Sequence, residues 1–247
     1  MITVGKKERV TQNRVIKLFS EKLGYKYLGN WYDRENNSNV EEEILRSYLK
    51  RKGYNEELIN CAIEQLVKVV NNKIDKLYYV NKEVYTLLRY GVQVKEKDGD
   101  NKQTVKFINF EDPYDNEFAI AEEVSIKGEY KKRPDIVLYV NGIALGVLEL
   151  KRSTVSVSEG IRQNLDNQTS KFIKHFFHTI QIVMAGNDTE GIRYGAIETK
   201  EKYYLKWKED KKVTDNLSKE IESLIKEEDY ILDKHLISLC HTERFLE

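Results

Sequence analysis

The sequence predicts an α/β domain, a central mixed β-sheet flanked by helices, with an added helical segment ahead of the sheet. Three observations predict it. Apolar residues recur at helical spacing from residue 8 to about residue 90, short β-branched and aromatic segments separated by turn residues follow, and the helical period returns near the C-terminus. Helix and strand patterns in that order favour helices packed on a sheet. With 247 residues and 40% hydrophobic composition the chain can bury a substantial core. We read residues 1–247 as a single domain with a helical insert at about 39–90, a core at about 104–200 and C-terminal helices at about 213–247.

The elements follow in order. Residues 8–23 carry Val10, Val15, Ile16, Leu18, Phe19 and Leu23 at helical spacing, and Gly24 can end that helix. After the irregular stretch GNWYDRENNSN, Asn39 is a cap for a helix over 40–51, which Gly53 breaks. A second helix spans about 56–71, and 75–90 reads as helix or as a helix–strand mixture. VKEKDGDN is a charged turn. The segments VKFINF, EFAIAEEVSI, DIVLYV and IALGVLELK then read as strands of an antiparallel meander. A helix over about 158–177, strands at 180–186 and 193–199, and helices over 213–228 and 230–241 complete the chain.

Charged residues make up 33% of the chain, yet Lys+Arg and Asp+Glu balance at 41 each, so net charge argues for no particular partner. Any nucleic acid contact must come from a local basic patch. Cys61 and Cys240 form no CxxC pair, which fits reduced cysteines in the cytoplasm. The sequence has no signal-peptide pattern and no membrane span.

One stretch does not fit a purely structural role. RPDIVLYVNGIALGVLELKRS reads as two apolar strands joined at Asn141-Gly142, yet it carries Asp135 at one outer end and Glu149 and Lys151 at the other. Residues two apart on a strand share a face, so Glu149 and Lys151 point the same way. Two converging carboxylates can hold Mg²⁺ while leaving water positions open, and a neighbouring Lys can orient water or neutralise charge on phosphorus. Acid–any–Lys alone is weak, for it also starts at Asp100, Glu129, Glu198, Glu209 and Asp210. Glu149 differs in ending an apolar strand whose hairpin partner begins with Pro134-Asp135. The structural alternative is a strand-end salt bridge among Asp135, Lys151 and Arg152.

Register decides between these. A strict two-residue turn at Asn141-Gly142 pairs Val140 with Ile143 and Pro134 with Glu149, which puts Asp135 on the wrong face. Convergence requires one extra residue, either in the loop or as a bulge, for which Gly146 is a natural position.

The stretch KKRPDIVLYVNGIALGVLELKRS, with VKFINFEDPYDNEFAIAEEVSI before it and EGIRQNLDNQ, AGNDTEGIRYGAIET and KWKED after it, resembles the nuclease core of the restriction (R, or HsdR) subunit of type I restriction-modification enzymes. That core belongs to the PD-(D/E)xK superfamily, so the resemblance implies a restriction-endonuclease-like fold and a Mg²⁺-dependent DNA endonuclease in which Mn²⁺ can substitute. It further implies that Asp135 and Glu149 bind metal and Lys151 is catalytic. Glu8 matches a position where many relatives place another metal-side acid; the alternative is an ordinary first-turn Glu. Gln163 matches the first residue of a Gln-x-x-x-Tyr element, read here as catalytic, although the fifth position is Asn167. Gln168 is a further candidate.

The basic run KGEYKKRP, with Lys131, Lys132 and Arg133, and also Arg152, is expected to contact DNA phosphates at the mouth of the site, with Arg162, Lys171 and Lys174 extending that surface. His175 and His178 read as flanking a packed apolar face. The family's R subunit continues into a helicase motor and works with specificity and methyltransferase subunits, so the resemblance implies a piece of a longer subunit. No GxxxxGK(S/T) segment, and hence no ATP site, is present in this sequence. Two alternatives share these residues: a catalytically silent docking module of the same complex, and a stand-alone repair nuclease.

Overall fold

A computed structural model describes residues 4–95, 101–208 and 215–247. Most of the charged turn expected at 94–101 and the first residues of the helix expected over 213–228 lie outside the described residues. In chain order the elements are α1 (Val4–Lys17), β1 (Lys26–Asn30), α2 (Glu42–Arg51), α3 (Glu56–Val70), α4 (Leu77–Tyr90), β2 (Val92–Val94), β3 (Gln103–Val105), β4 (Phe118–Glu122), β5 (Ile136–Val140), β6 (Ile143–Leu150), α5 (Val157–Asn167), β7 (Ile182–Asn187), β8 (Gly191–Gly195), β9 (Leu205–Lys206), α6 (Asn216–Lys226), α7 (Ile231–Cys240) and α8 (Thr242–Phe245). A seven-stranded mixed sheet in the order β1-β4-β5-β6-β7-β8-β9 forms the centre, and β2-β3 is a separate ribbon. This is a restriction-endonuclease-like α/β architecture. The meander β4-β5-β6 is antiparallel as expected, while β1 joins β4 and β7 joins β6 in parallel.

Several boundaries differ from the sequence reading for identifiable reasons. Asn39 does not cap α2; its amide instead donates to the carbonyls of His175 and Phe176 at 3.0 and 3.3 Å. Asn55 does cap α3, accepting from Leu58 N at 2.9 Å. Residues 75–90 resolve as helix, with Val80, Val84 and Leu88 buried at helical spacing. α5 stops ten residues short of 177: its chain turns at Gln168 and re-forms as a single 3₁₀ turn at Lys174–His178. β1 is absent from the sequence reading because its edge-strand pattern KYLGN is mostly exposed and offers no apolar alternation.

The sheet buries two apolar faces. Ile136, Leu138, Val140, Leu148, Leu150 and Met184 pack on one side with residues of α1, α2, α3 and α7. Val137, Tyr139, Val147, Val183 and Ala185 pack on the other with Val157 and Ile161 of α5 and the Phe176-Phe177 pair. Both cysteines are free thiols. Among the described residues no helix is long and apolar enough to cross a membrane.

The β5–β6 hairpin settles the register question. Asn141 (φ 51°) and Gly142 (φ 83°) form a strict two-residue turn with both residues left-handed, and Val140 pairs with Ile143. The tip is buried: a Cβ on Gly142 would meet Glu41 O at 2.7 Å, and the Asn141 amide donates to Phe107 O and Asn116 Oδ1 at 2.9 and 2.8 Å. Pairing then passes from Tyr139↔Ala144 to Leu138↔Gly146, so Leu145 is the one extra residue, a bulge beside the predicted glycine. Beyond it Ile136 faces Leu148, and continuing that register sets Asp135 opposite Glu149.

Candidate active site

The bulge brings both acids to the α5 face at one end of the sheet. Asp135, partly exposed, accepts Leu150 N on Oδ2 at 2.7 Å. Glu149 is fully buried. Its Oε2 accepts from Gln163 Nε2 at 2.7 Å and lies 3.9 Å from Lys151 Nζ, while among the described residues Oε1 has no hydrogen-bond partner. Lys151 Nζ donates to Leu150 O at 3.1 Å and stands 3.9 Å from Glu8 Oε1. Asp135, Glu149, Lys151, Gln163 and Glu8 therefore come together from four separate parts of the chain. The strand-end salt bridge fails on geometry: Lys151 faces Glu149 and Glu8, and no ion pair of Arg152 is recorded among the described residues.

The electrostatics of the pair are those of a site short of positive charge. Burial is the main reason the Asp135 carboxyl is raised to about 6; Lys151 and the Leu150 N–H oppose it, and Glu123 and Glu8 add to it. Burial likewise pushes Glu149 well above the usual carboxylate range, reinforced by the Asp135 charge and opposed by Lys151. One ammonium does not compensate two desolvated carboxylates. Among the described residues no group of three or more His, Cys, Asp or Glu is arranged to hold a metal ion. Asp135 and Glu149 supply two hard oxygen donors, one of them a buried oxygen with no hydrogen-bond partner among the described residues, and a pair of this kind could hold a hard divalent cation only if the cation kept most of its waters. Glu8 approaches as the partner of Lys151. Because α1 begins at Val4, Glu8 also lies on the second turn, so the first-turn dipole reading does not apply.

α5 places Gln163. Ser156 and Glu190 cap its start, Glu190 Oε1 accepting Val157 N at 2.9 Å. One turn in, Gly160 lets the helix come down on the sheet: a Cβ there would stand 3.0 Å from Ala185 Cβ and 3.5 Å from both Glu149 Cβ and Lys151 Cγ. Three residues on, the same helical face carries Gln163 over Glu149. Asn167, where the family element has Tyr, is buried at the next turn. Gln168 is structural: its Oε1 accepts Glu198 N at 2.5 Å and its Nε2 donates to Asn164 O at 3.0 Å.

A second network, which sequence reasoning missed, braces the site from α1. Buried Glu122 accepts from Arg9 at 2.6 and 3.0 Å, Gln12 at 2.9 Å and Tyr27 OH at 2.7 Å. Gln12 Nε2 also reaches Glu123 Oε1 at 3.2 Å and Asp135 O at 3.5 Å. Glu123 has a left-handed backbone (φ 53°) and donates its N–H to Asp135 O at 2.9 Å, and its carboxylate sits between Gln12 and Arg133. The signal available in the sequence was the Glu122-Glu123 pair closing an apolar strand.

The basic run divides. Arg133 stays beside the site, its Nε 2.5 Å from Glu123 Oε2. Lys132 Nζ instead lies 4.0 Å over the Phe172 ring, and Lys131 Nζ 5.8 Å from that of Tyr32. Arg152 follows Lys151 half-buried, and Arg162 pairs with Glu201 at 3.2 Å. Lys171 stacks on Tyr130 and Phe172, and Lys174 donates to Asp75 O. His175 is exposed, whereas His178 is not a flank residue: it is buried, with Nδ1 2.6 Å from Val70 O.

Residues 5–202 match the family model described as type I restriction enzyme R protein N terminus. A provisionally named type I restriction enzyme endonuclease subunit, MjaIXP of Methanocaldococcus jannaschii, is 25% identical over 177 residues, which is 62% of this chain and 17% of that protein. The type I restriction enzyme HindI endonuclease subunit of Haemophilus influenzae is 33% identical over 114 residues, 44% of this chain and 11% of that protein. The chain thus spans under a fifth of the length of these relatives.

Proposed function

The chain belongs to the family of type I restriction enzyme R protein N-terminal regions, and on that premise we propose that it is a Mg²⁺-dependent endonuclease domain that hydrolyses DNA phosphodiesters without sequence specificity of its own, Mn²⁺ being able to substitute. The observation that carries the reading is a cost with no structural return. The fold buries Glu149 beside Asp135 and leaves one of its oxygens without a partner among the described residues, a cost that a bound divalent cation would repay.

Asp135 and Glu149 would hold the cation, and bound Mg²⁺ would supply Lewis-acid polarisation of the scissile phosphate and an acidified water. The chain's own residues do the rest. Leu150 N–H fixes Asp135 and the Gln163 amide fixes Glu149, so neither carboxylate has to reorganise during the reaction. Lys151, held between Leu150 O and Glu8, is placed to orient the attacking water and to neutralise charge growing on phosphorus. Base-reading, and the motor that feeds DNA to the site, belong on this proposal to the specificity, methyltransferase and helicase parts of a type I complex, with no ATP site contributed here.

The test is nicking of supercoiled plasmid with Mg²⁺ or Mn²⁺. Metal-dependent nicking that falls more than about 100-fold in a folded Asp135→Asn variant is expected; equal nicking by both proteins overturns the site. Gln163→Ala leaves both carboxylates in place and is expected to weaken Mg²⁺ binding by about 10- to 100-fold, seen as a rightward shift of the Mg²⁺ activation curve that high Mg²⁺ rescues.

A further inference from the structure

Away from the carboxylates, on the side of the sheet covered by the segment after α5, lies a hollow of about 550 Å³. It draws on three separate stretches: Lys73 between α3 and α4, Lys127 before β5, and Ser170, Lys174 and His178 after α5. Neither Lys73 nor Lys127 has an ion-pair or hydrogen-bond partner among the described residues, and Lys174 Nζ donates only to the main-chain Asp75 O, at 3.0 Å. His178, which also lines the hollow, is 1% exposed; its Nδ1 is engaged by Val70 O while Nε2 has no partner among the described residues. Glu129 is the one carboxylate in the lining. In a chain whose charges balance overall, three ammonium groups without carboxylate partners around one concavity form a local anion-binding surface.

We propose that this hollow seats a backbone phosphate of the DNA duplex outside the cleavage point. The proposal rests on the nuclease reading and adds the path of the DNA. Reach supports it. Ile126 and Lys132 pair as an isolated bridge, so Lys127 to Lys131 form a closed finger whose base lies three residues from Asp135. Chain geometry keeps Lys127 within about 20 Å of Asp135, less than one turn of duplex. The finger is held where it is by contact: a Cβ on Gly128 would stand 1.9 Å from Phe172 O, and Tyr130 N donates to Lys171 O at 3.2 Å. One duplex can therefore touch both places.

The experiment measures anisotropy of a labelled 30-bp duplex in EDTA across a salt series. It compares the wild type with Lys73→Ala/Lys127→Ala/Lys174→Ala and with Lys26→Ala/Lys106→Ala/Lys226→Ala, a control that removes three exposed lysines with carboxylate partners. Loss of more than about tenfold in affinity and of about one unit in the salt slope, in the first variant alone, is expected. Equal loss in both variants, or in neither, overturns the proposal. Plasmid nicking in the same series separates the two readings. Metal-dependent nicking and tight binding retained by the first variant would remove the hollow and leave the nuclease site standing. A wild type that neither binds nor nicks would remove both. Binding of partner subunits lost in the first variant, with DNA binding intact, would give the hollow to a protein and overturn its assignment to DNA.

Discussion

Glu149→Gln is expected to abolish metal-dependent cleavage and, in the same protein, to raise the melting temperature of the metal-free domain at pH 7.5. The substitution keeps the shape of a fully buried side chain and leaves an oxygen to accept from Gln163, so packing and the 2.7 Å hydrogen bond can persist. What it removes is the cost of burying an ionisable carboxyl beside Asp135, which a single Lys151 does not offset. Relief of that kind is worth about 1–2 kcal/mol, or about 2–8 °C in a domain of this size. The pH dependence has a definite sign. Both acids are raised in the folded state, Asp135 to about 6 and Glu149 well above the usual carboxylate range, so the stability they contribute is complete below their unfolded values near 4 and is lost as pH rises through their folded values. The advantage of the variant over wild type should therefore be largest at pH 7 to 8 and vanish toward pH 4. Mg²⁺ should reverse the order, raising the wild-type melting temperature and leaving the variant unmoved. A variant that melts lower than wild type without metal would refute the strained-pair account, whatever its activity.

The same argument explains what could be read from the sequence and what could not. Asp135, Glu149 and Lys151 lie in one hairpin, where face and register follow from two-residue periodicity, and even the need for an extra residue followed from counting across Asn141-Gly142. Gln163 was reached only through the resemblance to the Gln-x-x-x-Tyr element, because nothing in the helix pattern of α5 sets it apart from an ordinary polar helix-face residue. The residues that were missed act across the sheet. Gln12 and Arg9 meet Glu122 only because α1 packs on the face opposite to α5 and β1 brings Tyr27 alongside. β1 itself is a short edge strand with little burial and so leaves little pattern. The basic run shows the converse failure. Eight consecutive residues share a charge signature, yet the Ile126–Lys132 bridge turns Arg133 toward Glu123 and the Lys127–Lys131 finger toward the segment after α5. Composition located the lysines; only the fold assigns their direction.

Arg14→Ala should be the most destabilising single substitution argued from a polar contact. Arg14 joins three elements: its guanidinium pairs with Asp188 at the β7–β8 turn and with Asp233 of α7, and lies 3.8 Å over the Tyr230 ring. Asp233 is 1% exposed and its second oxygen has no partner among the described residues, so truncation leaves a buried carboxylate without its counter-charge. Breaking such a pair costs about 3 kcal/mol, or about 6–12 °C at this chain length. Asp188 is better protected, since Thr11 Oγ1 still donates to it at 3.2 Å. Burial already lifts Asp233 to about 6 against the pull of Arg14, so removing Arg14 moves it higher still. A raised carboxyl gains stability as pH falls, and the deficit of Arg14→Ala relative to wild type should therefore shrink between pH 8 and pH 5. Adding Asp233→Asn should recover part of the loss at pH 8 and remove that pH dependence; urea melts of the four proteins of the cycle measure both. If the deficit is the same at both pH values, the cost lies in the lost ring contact and packing instead. The consequence reaches the site as well, because α1 is the helix that carries Glu8 to Lys151 and Gln12 to the Asp135 main chain. Loosening its seat on α7 should weaken cleavage under conditions where the domain is still folded.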